Sequence, residues 1–327
     1  MANQESQAKD QELSLPAEWE PQSCVWVSRP HNAATWPGCL DATRTQFDRF
    51  VARLESRVAV RRTEDSHIAT DDAWVRDYGP LFVREGTGLA GHDFRFDGWG
   101  GLYAPYDHDD AAAARIAGLL DVPITSHAIV LEGGSIESNG LGTVLTTDLH
   151  GARNPGMDRE TVSRLFLEAF GATNLVWLEG GLRGDDTAGH VDNLARFVGP
   201  RTIAAPRADD SHPDHALLER NWQALQQARD QDRDPFDLIA LPMPGPLHYD
   251  FPPDEEYDVA RDRLPASYAN FLISNGALFL PAFGDRADDQ ARLVLEPTPY
   301  EIVPIPADRL IVGLGGLHCL TMQVPET

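Results

Sequence analysis

Asp77, Glu132, the pair His190 and Asp192, Asn270 and Cys319 stand far apart in this chain, yet together they form a reactive set. The thiol is the nucleophile among them. Its ordinary pKa near ~8.5 leaves it mostly protonated at neutral pH, so it needs help to ionise. A histidine can give and take protons near neutrality. Carboxylates hold cations, and a planar guanidinium offers the fork of donors that two carboxylates can grip from its edges. If these residues meet at one point, they suit chemistry on a cationic, planar group of that kind.

Each member has a second reading. Cys319 lies in GLGGLHCLTMQV, read as a glycine-rich approach into a strand. Glycines let backbone N–H groups come close to a reacting centre, and a strand would hold the thiol rigidly. On such a strand the neighbouring His318 points to the opposite face, which makes it a poor base. The alternative is a buried, inert cysteine. In GDDTAGHVDNL, His190 and Asp192 are two residues apart, so on extended backbone both face one way. The alternative is a turn stabilised by Asp185, Asp186 and Thr187. A metal site there would need further ligands at suitable spacing, which the sequence does not supply. In DDAWVRDYGP, Trp74 and Asp77 combine an aromatic face with a carboxylate, a natural pocket for a planar cation. The alternative is that Trp74 is core and Asp77 pairs with Arg76 or caps a turn. Glu132, in LEGGSIESNG, is either solvated or aimed inward.

The surrounding pattern says how such residues could meet. Helices are expected over 41–56, 108–120, 157–171, 213–229 and 285–295, from apolar residues recurring at three and four and acidic residues in the first turns. A short apolar strand follows each, at 58–60, 128–131, 175–178, 237–241 and 301–305, and then a hairpin with a Gly- or Pro-bearing turn. One of the reactive residues sits at or near the start of every hairpin. The last hairpin, GLHCLTMQV, lacks a return strand, and CVWVSR at 24–29 could supply it and close a ring without exposed edges. The competing architecture is a generic α/β sandwich.

The bulk composition narrows the partners. The 51 acidic and 27 basic residues give a formal charge of −24, and Lys9 is the sole lysine. Such a field repels nucleic acid and anionic membrane and concentrates a cationic substrate. It also fits a solubility or high-salt adaptation of the surface. No stretch approaches the roughly 18 apolar residues of a membrane span, and the polar start lacks the apolar region of a secretory signal. Residues 1–14 read as a loose tail and 15–327 as one catalytic domain. An odd count of three cysteines without framework spacing favours a reducing compartment, the cytoplasm, and leaves at least one thiol free. Assembly into a homo-oligomer is compatible with such a chain, though no segment marks an interface.

Taken together, LPAEWEPQ, TWPG, DDAWVRDYGP, FDGWGG, LEGGSI, GTVLTT, WLEGGLRGDDTAGHVDN, SYANFLISNGALFLPAFGD and GGLHCLTMQ resemble the agmatine deiminase and bacterial peptidylarginine deiminase family, in family order from about Leu15 to Pro325. The resemblance implies a five-bladed α/β propeller, the pentein fold, and hydrolysis of a guanidinium without metal or organic cofactor. It implies Cys319 as nucleophile and His190 as acid and base, with Glu132 supporting the histidine. Asp77 and Asp192 would grip the guanidinium nitrogens, Trp74 would form an aromatic wall, and Asn270 would make a minor substrate contact. Agmatine is the first substrate expected, free or peptide-terminal arginine the second, another small guanidine the third. An amidinotransferase or a non-catalytic cation binder are the other classes. Three departures stand out: a shortened segment between Gly101 and Leu102, Ala188 where aspartate is common, and Met322 in place of a polar residue.

Overall fold

The computed structural model describes residues 13–251 and 263–327. Within them, five small sheets repeat one plan: an antiparallel hairpin, then a helix, then a strand that returns parallel to the second hairpin strand. The second, third and fourth strands of the largest sheet are Leu81–Glu85, Gly88–Arg95 and Ile124–Val130. The others are Ile136–Ser138, Thr143–Thr147 and Asn174–Leu178; Arg196–Gly199, Thr202–Pro206 and Asp237–Leu241; and Leu272–Ser274, Ala277–Ala282 and Glu301–Pro306.

The fifth blade joins the two ends of the chain. Thr321–Pro325 runs antiparallel to Gln22–Val27, with Thr321 opposite Val27 and Val324 opposite Cys24, and Ala59–Arg62 adds in parallel. The strand missing from the last hairpin is therefore supplied from the other end of the sequence, as the repeat requires. The architecture is a five-bladed α/β propeller.

Local sequence explains the helices that back the blades. Leu40–Leu54 turns Phe47, Phe50, Val51 and Leu54 inward at the expected period. Arg159–Phe170 begins where the Asp158 carboxylate accepts the Thr161 amide at 2.9 Å and buries Val162, Phe166, Ala169 and Phe170. The helix expected over 108–120 is divided into Asp107–Asp110 and Ala112–Leu119. The tail also needs correcting. Leu13–Ser14 pairs with Leu81–Glu85, so order begins before Leu15; the rest of the tail, 1–12, lies outside the described residues.

Along the axis the blades meet in a buried ionic cluster rather than an apolar plug. Arg196, fully buried, faces Glu18 at 2.7 Å and Glu137 at 2.9 Å and donates to the Phe271 carbonyl at 2.6 Å. Arg76 donates to Gln323 at 2.6 Å. Buried charges survive only when paired and hydrogen-bonded, so these contacts fix how neighbouring blades abut. On one side of this cluster lies the candidate site.

Candidate active site

The chain leads each reactive residue to the axis in the same way, just ahead of its blade's first strand. Asp77 is in the short helix Val75–Tyr78, Glu132 directly precedes the turn Gly133–Ser135, Asp192 is inside the turn Val191–Asn193, and Asn270 and Cys319 come two residues before their strands. All are at least nine-tenths buried. Two local expectations are corrected. His190 and Asp192 are joined by a tight helical turn, not extended backbone. Cys319 and His318 sit in a turn before Thr321–Pro325, so strand alternation does not govern where His318 points.

The side chains converge. Glu132 Oε2 lies 2.9 Å from His190 Nε2, and its Oε1 accepts from Arg153 Nε at 2.6 Å. His190 Nδ1 faces Asp77 Oδ1 at 3.7 Å and has no hydrogen bond of its own. Asp77 is held from both sides, Oδ1 by the Gly134 amide at 3.0 Å and Oδ2 by Trp99 Nε1 at 3.1 Å. Asp192 Oδ2 is 2.8 Å from His318 Nδ1 and 3.6 Å from the Cys319 sulfur, while Oδ1 is buried without a partner. A buried carboxylate oxygen without a donor costs free energy, and an arriving N–H would relieve it.

A cavity of about 130 Å³ opens onto this group. Trp74, Asp77, His190 and Cys319 line it; Asp192, Glu132 and Asn270 stand behind that wall. Asn270 is thus set back from the wall, and its contacts are with the thiol's surroundings. Its amide lies 3.2 Å from the sulfur and 3.0 Å from the Asn193 carboxamide, and it accepts from the His318 amide at 3.0 Å, so it positions the thiol. Trp74 is both wall and core, packed at a tilt of 35° against Trp36 with centroids 5.2 Å apart.

Two glycines make this closeness possible. A methyl group on Gly134 would lie 2.5 Å from His190 Nδ1, 2.9 Å from Asp77 Oδ1 and 3.1 Å from Asp192 Oδ2. One on Gly316 would collide with the Asn270 carboxamide. Gly134→Ala is expected to cut kcat/KM about 100-fold, the usual result of displacing reacting groups by a fraction of an ångström to one ångström. Steady-state kinetics checks this, and a variant within a few-fold of the parent would show that the three groups need not lie so close.

Charge follows geometry. Burial, reinforced by Glu132 and Asp192, pushes the Asp77 carboxyl up to about 6 against the opposing pull of His190. Burial works against a charged His190, but Asp77, Glu132 and Asp192 outweigh it and raise the imidazole to about 10. Burial likewise opposes ionised Glu132 and Asp192, yet His190 and Arg153 hold the first, and His318, His190 and Arg196 the second, below the ordinary carboxylate range. The thiol goes the other way. Burial first, then the charges of Asp192 and Asp77, push Cys319 well up.

The sequence missed several contributors. Trp99, a donor to Asp77, was visible in FDGWGG, and its left-handed φ of 57° between glycines marks a constrained position. Asn193 also lines the cavity, beside Asp192 in the same motif. Of the three departures, the shortened segment matters most, because Tyr103, Ala104, Pro105 and Tyr106 just beyond it line the cavity. Ala188 is exposed and off the cavity wall. Met322 is buried, its sulfur 3.9 Å from an Arg76 nitrogen, a packing role.

Residues 14–325 match the Porphyromonas-type peptidyl-arginine deiminase family. The chain belongs to that family. An agmatine deiminase of Pseudomonas putida is 36% identical over 351 aligned residues, covering 95% of each chain. Among solved structures, the agmatine deiminase of Enterococcus faecalis superposes with a TM-score of 0.90 at 27% identity, covering 96% of both chains. A cysteine-to-serine variant of the agmatine deiminase of C. jejuni with substrate bound gives a TM-score of 0.84 at 27% identity, again over 96% of both. The propeller, the guanidino-directed enzyme class and the family resemblance all stand confirmed.

Proposed function

We propose that the protein hydrolyses agmatine to N-carbamoylputrescine and ammonia through a covalent intermediate on Cys319. The observation that carries this reading is a thiol in contact with Asp192 and sharing a cavity wall with Asp77 and His190. A guanidinium keeps its proton at any physiological pH, so it enters as a cation. Asp77 and the unpartnered Oδ1 of Asp192 grip its nitrogens, and the central carbon is then held before the sulfur. Its positive charge cancels the field that suppresses thiolate, so the thiol loses its proton to solvent as substrate binds.

Attack forms the C–S bond and a tetrahedral adduct. His190 gives its proton to the departing nitrogen, ammonia leaves, and an S-alkylthiouronium remains on the sulfur. The imidazole, now neutral and aligned by Glu132, takes a proton from water as that water attacks the same carbon. Collapse breaks the C–S bond, the adduct's remaining hydroxyl proton passes to the departing sulfur, and the ureido product leaves with the thiol and a protonated His190 restored.

The cavity's lining favours agmatine over arginine. Asp71, Asp72, Asp109 and Asp186 line it with Asp77, and among the described residues neither arginine nor lysine does. An amino-acid carboxylate would be buried there without a cation, which costs several kcal/mol. Ammonia release is expected to show a kcat/KM for agmatine at least about 100-fold above that for arginine, equivalent to ~2.7 kcal/mol. Equal or better turnover of arginine or a peptide-terminal arginine would transfer the activity to that substrate. No ammonia from any guanidine would remove the reading altogether.

The same groups set the pH response. Asp77 must be ionised to hold the cation, and its carboxyl is raised to about 6; His190 must be protonated to expel ammonia, and it is raised to about 10. In the free enzyme kcat/KM should therefore fall as pH drops through about 6 and again as pH rises through about 10. An acid limb centred instead near ~4, where an ordinary carboxyl titrates, would take Asp77 out of that role. We place this chemistry in the cytoplasm, a reading supported by three unpaired cysteines. None of the helices among the described residues is long and apolar enough to cross a membrane.

A further inference from the structure

On the far side of Asp192 from the cavity, His318 sits between two acids. Its Nδ1 is 2.8 Å from Asp192 Oδ2, and its Nε2 is 2.9 Å from Glu18 Oε2. All three side chains are at least nine-tenths buried. The Nδ1 contact is a hydrogen bond, whereas the Nε2–Oε2 approach is close without hydrogen-bond geometry, so Glu18 backs the ring while Asp192 bonds it. Glu18 cannot swing away, because its Oε1 accepts from Arg196 at 2.7 Å and from the Ile273 amide at 2.6 Å. The histidine is therefore clamped by an acid that is itself anchored to two other blades.

That clamp decides how Asp192 stands. With Oδ2 fixed to His318 and lying 3.6 Å from the sulfur, the plane of the carboxylate is set and the unpartnered Oδ1 is offered beside Cys319. We propose that Glu18 and His318 are positioning residues, a buried relay that aims Asp192 at the guanidinium while touching no substrate themselves. The proposal rests on the guanidinium reading above and adds two residues to it. Neither residue lines the substrate cavity; both line a separate cavity of about 40 Å³. The direct side-chain route from the pair to the site runs through Asp192.

Two substitutions at one position separate aiming from mere support. His318→Asn keeps an N–H near the place of Nδ1 and preserves the bond to Asp192, whereas His318→Gln reaches toward Glu18 and drops it. A hydrogen bond to a charged group contributes ~1.5–3 kcal/mol, so His318→Gln should raise the agmatine KM about 30-fold. In a Cys319→Ser background, where nothing turns over, calorimetry should show a similar rise in agmatine Kd. His318→Asn should stay within about 5-fold of the parent in both, with the two variants melting within a few degrees of each other.

Equal loss in both variants, or none in either, would overturn the relay and leave the axis network as a scaffold only. If His318→Gln does not fold, Glu18→Gln decides. It can still accept from Arg196 and Ile273 but no longer faces His318 with a carboxylate, so it should raise the agmatine KM by the same few-fold allowed to His318→Asn, and an unchanged KM would overturn the relay. Wild-type protein serves as the reference throughout. If it releases no ammonia from agmatine or arginine, the functional reading has failed; if it is active while the variants behave alike, only the relay has failed.

Discussion

Cys319→Ser is expected to abolish ammonia release from agmatine, by at least about 10⁴-fold in kcat, while agmatine still binds. The separation follows from where the groups stand. Sulfur supplies the bond to carbon, whereas the grip on the cation comes from Asp77 and Asp192, which the substitution leaves in place. A serine hydroxyl has no comparable route to an anion in a site that burial already makes hostile to a thiolate. Binding should tighten slightly or hold constant by calorimetry. Undiminished turnover would remove Cys319 as the nucleophile, and loss of binding along with turnover would mean that the thiol also organises the pocket.

Asp77→Asn is expected to lower kcat/KM by about 10³-fold or more, corresponding to the ~3–5 kcal/mol lost when one member of a buried charge pair is removed. Two effects add. The substrate cation loses half of its clasp, and the protein loses a hydrogen bond of its own, because both oxygens of Asp77 accept from fixed donors, the Gly134 amide and Trp99 Nε1. A carboxamide has only one acceptor, so its NH₂ must face one of those donors. KM and kcat should both worsen. Kinetics close to the parent would exclude Asp77 from contact with the guanidinium.

The ring was legible because it is written in periods. Helix, strand and hairpin recur, and the incomplete hairpin after Cys319 points to CVWVSR at 24–29 as its partner, which the pairing of Val324 with Cys24 bears out. The reactive residues were legible for a related reason: each comes at a fixed place in its unit, directly before the first strand. What lay beyond reach depends on contacts between units. Trp99 reaches Asp77 across 22 positions and His318 reaches Asp192 across 126, distances over which no periodicity speaks. Strand alternation says nothing of where His318 points, because it sits in a turn. Leu13 and Ser14 look like tail because two residues carry no period, and only the edge of Leu81–Glu85 reveals them as strand.

The seam between Gln22–Val27 and Thr321–Pro325 has a consequence for biogenesis. Cys319 is anchored by Thr321–Pro325, and that strand zips onto one synthesised long before it. Three of the other blades can fold as they emerge from the ribosome, each from contiguous sequence, and the largest needs only the short strand Leu13–Ser14 from upstream. The thiol cannot be seated until translation has run past Pro325 and that strand has found Gln22–Val27. Activity thus waits for this one pairing, and a chain cut short before it carries its acids and its imidazole but no seated nucleophile.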